Sequence, residues 1–220
     1  ELGALFAALP GKKTDGFRYI RDALNRGAAA VLCQEAPDFP GPWLVAEDAR
    51  LAFALVCANW FGRPGDSMTL VAVTGTNGKT TTTSLIKELL ERTLNTRAGL
   101  IGTNRNLIGE LELPAHRTTP DSYELQSLLR QMADSGCTHV VMEVSSHALV
   151  QRRAWGLTFK AGVFTNLTQD HLDYHHTMEE YREAKGLLFD QCQQAVLNLD
   201  DEAGRWYGER VSCPVFTYSE

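Results

Sequence analysis

An apolar, β-rich run from Leu70 to Thr74 breaks into a turn carrying Gly75 and Gly78. It then passes through Lys79 and Thr80 into a helical pattern over 81–92. Strand, glycine turn and helix in immediate succession fit one strand of a mostly parallel sheet whose helix packs back on it. The glycines let backbone N–H groups turn inward on phosphate oxygens, and the helix N-terminus adds its positive end. Lys79 would reach β- and γ-phosphates, and Thr80 would offer a hydroxyl to Mg²⁺. The general pattern G-x-x-x-x-G-K-[ST] is met only in its second half, because its first glycine would fall at Val73 and the loop has Gly75 instead. A glycine turn beside a surface lysine is the bland alternative, and the strand-helix context favours nucleotide. The Asn-Lys-x-Asp run of a small GTPase does not occur, whereas a mononucleotide kinase stays open on this loop alone.

The rest of the chain alternates in the same way. Leu100-Ile101, His139 to Val144, Ala161 to Phe164 and Ala195 to Leu199 read as strands. Helices are expected over 81–92, with Leu85, Leu89 and Leu90 on one face, over 121–135, closed by Gly136, and over 178–189. Ahead of the turn-rich stretch Gly62 to Ser67 lies a smaller α/β unit. Its elements are a strand within 2–9, a helix over 17–27, strands at 28–33 and 43–46, and a helix to Trp60 capped by Asp48. The expected fold is therefore α/β: a small N-terminal domain, 1–66, and a phosphate-loop domain, 67–220, with a mostly parallel sheet flanked by helices. Ligands belong at the carboxyl ends of its strands.

Composition narrows the partners. The 220 residues are 44% hydrophobic and 22% charged, and 21 basic against 27 acidic residues leave a formal charge of −6. That balance supplies no basic field for nucleic acid, and no apolar run reaches the roughly 18–20 residues of a membrane helix. Five scattered cysteines without a CxxC pair suggest reduced thiols, hence a cytoplasmic protein, with no structural zinc. The chain lacks an initiator Met and opens inside an apolar segment, so it is expected to be part of something longer.

Three further segments carry chemistry. Val140 to His147 is an apolar strand ending in Glu143, Ser145 and Ser146, and a carboxylate at a strand end beside a phosphate loop suits Mg²⁺. A solvated strand-edge glutamate is the alternative. Thr165 to His175 follows another strand, and its polar density exceeds that of a simple connector. There His171 could ligate a metal, hold a phosphate oxygen or simply be structural. By pattern alone Lys185 is a solvated helix lysine.

The strings TGTNGKTTT (74–82), MEVSSHAL (142–149), FTNLTQDHLDYHHTMEEYREAK (164–185) and NLDDEAG (198–204), with LFAALPGKKTDG (5–16), resemble the Mur ligases. The phosphate loop is shared with folylpolyglutamate synthetases, against which LPGKKTDG speaks. The resemblance covers nearly the whole chain. It implies an ATP-dependent amide ligase that adds a diamino acid, meso-diaminopimelate by default, to UDP-MurNAc-L-Ala-D-Glu through an acyl phosphate. It further implies a monomer in the bacterial cytoplasm, with a C-terminal ligase domain absent here. ATP would lie on Gly75, Thr76, Asn77, Gly78, Lys79, Thr80 and Thr81, with its adenine against Asn198. Mg²⁺ would be held by Thr80, Glu143, His171 and a carbamylated Lys185; Lys79, Lys185 and His171 would be the catalytic residues. The muramoyl-dipeptide would meet Thr118, Thr119, Ser145, Gln151 and Arg153, and its UDP part would approach Lys12, Lys13 and Thr14. A fragment that binds nucleotide and UDP-sugar without turnover is the expectation for this chain alone.

Overall fold

The computed structural model describes residues 2–11, 14–170 and 172–220. It falls into two compact units, Glu1–Val56 and Cys57–Glu220. The division between these units falls at residues 56–57, inside a helix. Just past the end of that helix, within the second unit, the Phe61 ring lies edge-on to Tyr123 at 5.1 Å.

In the first unit β1 (Leu5–Ala7), β2 (Ala30–Cys33) and β3 (Trp43–Val45) form a parallel sheet in that order. Its small core joins Ile20 of α1 (Ile20–Asn25) to Ala8, Val31 and Cys33. The helix ends before Gly27, whose φ of +89° suits a residue without Cβ. The strand expected within 2–9 covers only three residues. Asp48 caps α2 (Ala49–Trp60) as expected, accepting from the Leu51 N–H at 2.9 Å.

In the second unit β4 (Thr69–Thr74) leads through the glycine turn into α3 (Lys79–Leu94), followed by β5 (Ala98–Ile101), β6 (Arg105–Ile108) and β7 (Leu111–Pro114). Next come α4 (Ser122–Asp134), β8 (His139–Glu143), α5 (Ser146–Val150), β9 (Ala161–Phe164), α6 (Leu172–His175), α7 (Met178–Gly186), β10 (Ala195–Asn198), α8 (Glu202–Gly208) and β11 (Val215–Tyr218). The sheet order is β11-β10-β9-β4-β8-β5-β6-β7, parallel from β11 to β5 and antiparallel over the last two strands. β4 thus sits between β8 and β9, and the ends of all three strands converge at one rim.

Alternation along the strands assigns the two faces. Leu70, Ala72, Val140 and Met142 pack under Leu125, Leu129 and Met132 of α4. Val73, Val141 and Leu100 face the other way, toward Ile86 and Leu90 of α3. Successive helix residues point about 100° apart, so the 86/90 column turned to the sheet carries the neighbouring column to the flank. Leu85 and Leu89, grouped with Leu90 on one face by the sequence pattern, are 61% and 66% exposed, while Leu90 packs on the sheet. The sequence reading also passes over the β6–β7 hairpin, β11 and α5, all short elements.

Candidate active site

The phosphate loop is held from below by the loop after β9. The Thr165 hydroxyl lies 2.7 Å from the Asn77 carbonyl. The N–H of Thr76 donates to the Asn166 carbonyl (2.8 Å) and that of Asn77 to Asn166 Oδ1 (3.0 Å). The Thr168 N–H donates to Thr76 Oγ1 (3.0 Å), and Asn77 Nδ2 to Thr168 Oγ1 (3.2 Å). Gly75, at φ +147°, is required by this closeness, since a Cβ there would stand 1.9 Å from Thr165 Oγ1.

Two lysines converge on this loop. Lys79 Nζ donates to the carbonyls of Gly75 (2.9 Å) and Thr76 (2.8 Å), and Lys185 Nζ donates to the same Gly75 carbonyl at 2.8 Å. Lys185 is only 1% exposed and stands 4.5 Å over the Tyr181 ring. The solvated helix lysine suggested by pattern alone is therefore a buried amine at the phosphate loop. Burial, then repulsion from Lys79, lowers its pKa from 10.5 to about 7, with Asp170 opposing. Lys79 is also lowered by burial, against the pull of Glu143 and Asp170.

Beside the lysines lies an oxygen pair. Glu143, at the end of β8, is 1% exposed, and the Thr80 hydroxyl donates to its Oε1 at 2.9 Å. Both side chains border a cleft of about 310 Å³ shared with Ser84, Gly102, Asn104 and Arg105. A carboxylate and a hydroxyl are the hard oxygen donors that Mg²⁺ takes, so Thr80 and Glu143 fit that ion. Unmodified, Lys185 donates hydrogen bonds and cannot ligate a cation; as a carbamate it would offer oxygen.

The expected substrate residues form one connected cluster ending on Glu143. Buried Thr119 donates to the Glu143 carbonyl (3.0 Å) and accepts from the Ser145 N–H (3.0 Å), while Ser145 caps α5 through the Ala148 N–H (3.2 Å). Arg153 donates to the Thr119 carbonyl (2.8 Å) and through Nε and Nη2 to Gln151 Oε1 (3.1 and 2.8 Å). The Thr118 hydroxyl lies 3.0 Å from that of Thr103, a residue the sequence reading does not single out. Asn198 donates to the Thr165 carbonyl (2.9 Å) and accepts from the Asp200 N–H (2.9 Å), so its amide braces the β9 and β10 loops against each other. Thr14 lies on the β1–α1 loop of the first unit. Lys12, Lys13 and His171 lie outside the described residues.

The family description "Mur ligase middle domain" matches residues 73–220, and "Mur ligase family, catalytic domain" matches residues 1–53. The chain belongs to the Mur ligase family. This Mur ligase chain is 51% identical over 206 residues to a UDP-N-acetylmuramoyl-L-alanyl-D-glutamate–2,6-diaminopimelate ligase of Chlorobium phaeobacteroides, covering 90% of the chain and 40% of that relative. It is 45% identical over 225 residues to the ligase of the same name from Geobacillus kaustophilus, covering 98% and 46%. A solved structure carrying that name superposes at a TM-score of 0.84 with 33% identity, over 100% of this chain and 46% of the other. The chain thus spans less than half the length of the relatives it matches. Among the described residues, no helix is long and apolar enough to cross a membrane.

Proposed function

We propose that this chain carries the nucleotide-binding and muramoyl-peptide-binding part of an ATP-dependent amide ligase of peptidoglycan precursor synthesis. The ligase adds a diamino acid, 2,6-diaminopimelate by the relatives' names, to UDP-MurNAc-L-Ala-D-Glu in the bacterial cytoplasm. One observation carries this reading: the heads of buried Lys185 and half-buried Lys79 meet on the Gly75 carbonyl, next to the Thr80–Glu143 oxygen pair. Such an arrangement suits a polyanion and its divalent counter-ion, and family membership narrows the polyanion to ATP. Residues 75–81 hold its phosphates, with Asn198 bracing the loop beneath.

In this reading a D-Glu carboxylate oxygen attacks the γ-phosphorus, the bond to the β–γ bridging oxygen breaks, and ADP leaves. The amine of the diamino acid then attacks the acyl carbon, phosphate departs, and the amine proton passes to solvent or a base. Bound Mg²⁺ supplies charge neutralisation of the phosphate oxygens. Thr80 and Glu143 hold it, joined in the proposal by His171 and Lys185. Lys79 stabilises charge on the moving phosphoryl group. Lys185, with a pKa near neutrality, has enough neutral amine to add to CO₂, forming a carbamate with loss of one proton. Thr118, Thr119, Ser145, Gln151 and Arg153 position the dipeptide, and binding of the UDP part is assigned to Lys12, Lys13 and Thr14.

Calorimetric titration of this chain with UDP-MurNAc-L-Ala-D-Glu, with and without Mg²⁺ and a non-hydrolysable ATP analogue, tests the proposal. The expected result is Mg²⁺-dependent binding of the analogue and sugar-nucleotide binding that the analogue strengthens. Failure to bind the analogue, or binding of a folate in place of the sugar nucleotide, would overturn it.

A further inference from the structure

We infer that Thr103 is a positioning residue that ties the substrate side of the site to its metal side. The inference rests on the proposed function of this site. Glu143 is buried, and an ionised carboxylate in such a place must be hydrogen-bonded. Besides Thr80, its partners come from Thr103: the backbone N–H donates to Oε1 at 2.9 Å and the hydroxyl to Oε2 at 2.9 Å. One residue therefore grips both carboxylate oxygens and fixes the plane of the group.

The approach depends on Gly102, where a Cβ would stand 2.6 Å from Glu143 Oε1. Only a bare backbone lets residue 103 come this close. A hydroxyl has one proton, and Thr103 Oγ1 is placed to donate it either to Glu143 Oε2 (2.9 Å) or to Thr118 Oγ1 (3.0 Å). Thr118 and Glu143 therefore compete for the one Thr103 proton. A ligand that reorients the Thr118 hydroxyl changes the hydrogen bond Thr103 gives to the carboxylate. Thr103 is itself exposed, so its substitution leaves the sheet core intact.

The test uses Thr103→Val, which keeps the backbone N–H and the shape but removes the hydroxyl, and Thr103→Ser, which keeps it. The readout is the Mg²⁺ concentration that half-restores binding of a non-hydrolysable ATP analogue, together with analogue affinity in metal-free buffer. A hydrogen bond to a charged group is strong enough for a several-fold effect. The valine variant is expected to need roughly fivefold to tenfold more Mg²⁺ with unchanged metal-free affinity, and the serine variant to stay within about twofold of the parent. Thr118→Val removes the competing acceptor, so it should lower the Mg²⁺ requirement in the parent background but change little on top of Thr103→Val, because both act through the one Thr103 proton.

An unchanged Mg²⁺ requirement in Thr103→Val, absence of rescue by serine, or additive effects of the two valines would each overturn the inference. If the unsubstituted chain showed no Mg²⁺ response, the metal-site reading itself would fall and this inference with it. That control separates the two failures.

Discussion

Lys185 allows a quantitative test of how the site is built. A tenfold change in proton affinity is worth about 1.4 kcal/mol. The fall from 10.5 to about 7 therefore places roughly 4–5 kcal/mol on holding the charged amine in its buried position. Below about pH 7 both folded and unfolded chains carry the proton, and the folded state bears this cost in full. Between about pH 7 and 10.5 the folded chain releases the proton while the unfolded chain keeps it, so stability rises with pH through that window. From about pH 7 to pH 9 the gain is roughly 2 kcal/mol, some 5 °C in midpoint for a protein of this size. Lys185→Met removes the titrating group and fills the same space. The five cysteines work in the opposite sense, their pKa values raised by burial. They are common to both proteins and cancel in the comparison. Denaturant unfolding of both proteins in CO₂-free buffer at the two pH values should show the parent gaining roughly 2 kcal/mol on the variant. Parallel curves, within about 0.5 kcal/mol, would refute the claim that Lys185 sits buried against Lys79. Added ¹³C-bicarbonate should give a carbamate carbon signal in the parent, growing as pH rises through 7, and none in Lys185→Met.

Gly75→Ala should lose nucleotide binding and about 2–4 kcal/mol of stability, because the new Cβ falls 1.9 Å from Thr165 Oγ1 in left-handed backbone; a variant melting with the parent would contradict the geometry. Arg153→Ala frees the Thr119 carbonyl and Gln151 from their shared donor. It should weaken UDP-MurNAc-L-Ala-D-Glu at least tenfold in calorimetry while ATP-analogue affinity stays within about twofold. Equal losses for both ligands would mean the cluster merely supports the loop. Asn198→Ala removes the brace between the β9 and β10 loops and should cost about 1–2 kcal/mol in denaturant unfolding, with no loss leaving the brace idea without support.

What was legible in the sequence follows from how local each signal is. The central strands and α4 were readable because Leu70 to Thr74, His139 to Val144 and the Leu125-Leu129-Met132 column each repeat one period long enough to be recognised. The β6–β7 hairpin was not, since each strand has four residues and only Gly109, at φ +60°, marks the turn. Which column of α3 is buried is not legible for another reason. Leucines occupy two adjacent columns of that helix, and only the sheet beneath decides that Ile86 and Leu90 face inward while Leu85 and Leu89 face water.

The site divides along the same line. Gly75, Gly78, Lys79 and Thr80 fall within six consecutive residues, so strand, turn and helix announce them together. Lys185 lies 110 residues from Gly75, and nothing about a lysine on a polar helix says that its head will be buried. The resemblance alone raised it above a surface residue. Thr103 carried no signal beyond a Gly-Thr pair after a short strand. Its role exists only because β5 pairs with β8 and brings residue 103 against the end of that neighbour. Asn166 makes the same point from the other side of β4. Its carbonyl and side chain take the N–H groups of Thr76 and Asn77, so the phosphate loop and the loop leading to His171 are hydrogen-bonded into one piece. A ligand that shifts the phosphate loop must therefore also shift the β9 loop or break those bonds. The parallel register of β4 between β8 and β9 thus links phosphate loop, acid and lysine, a coupling that no single segment of the sequence contains.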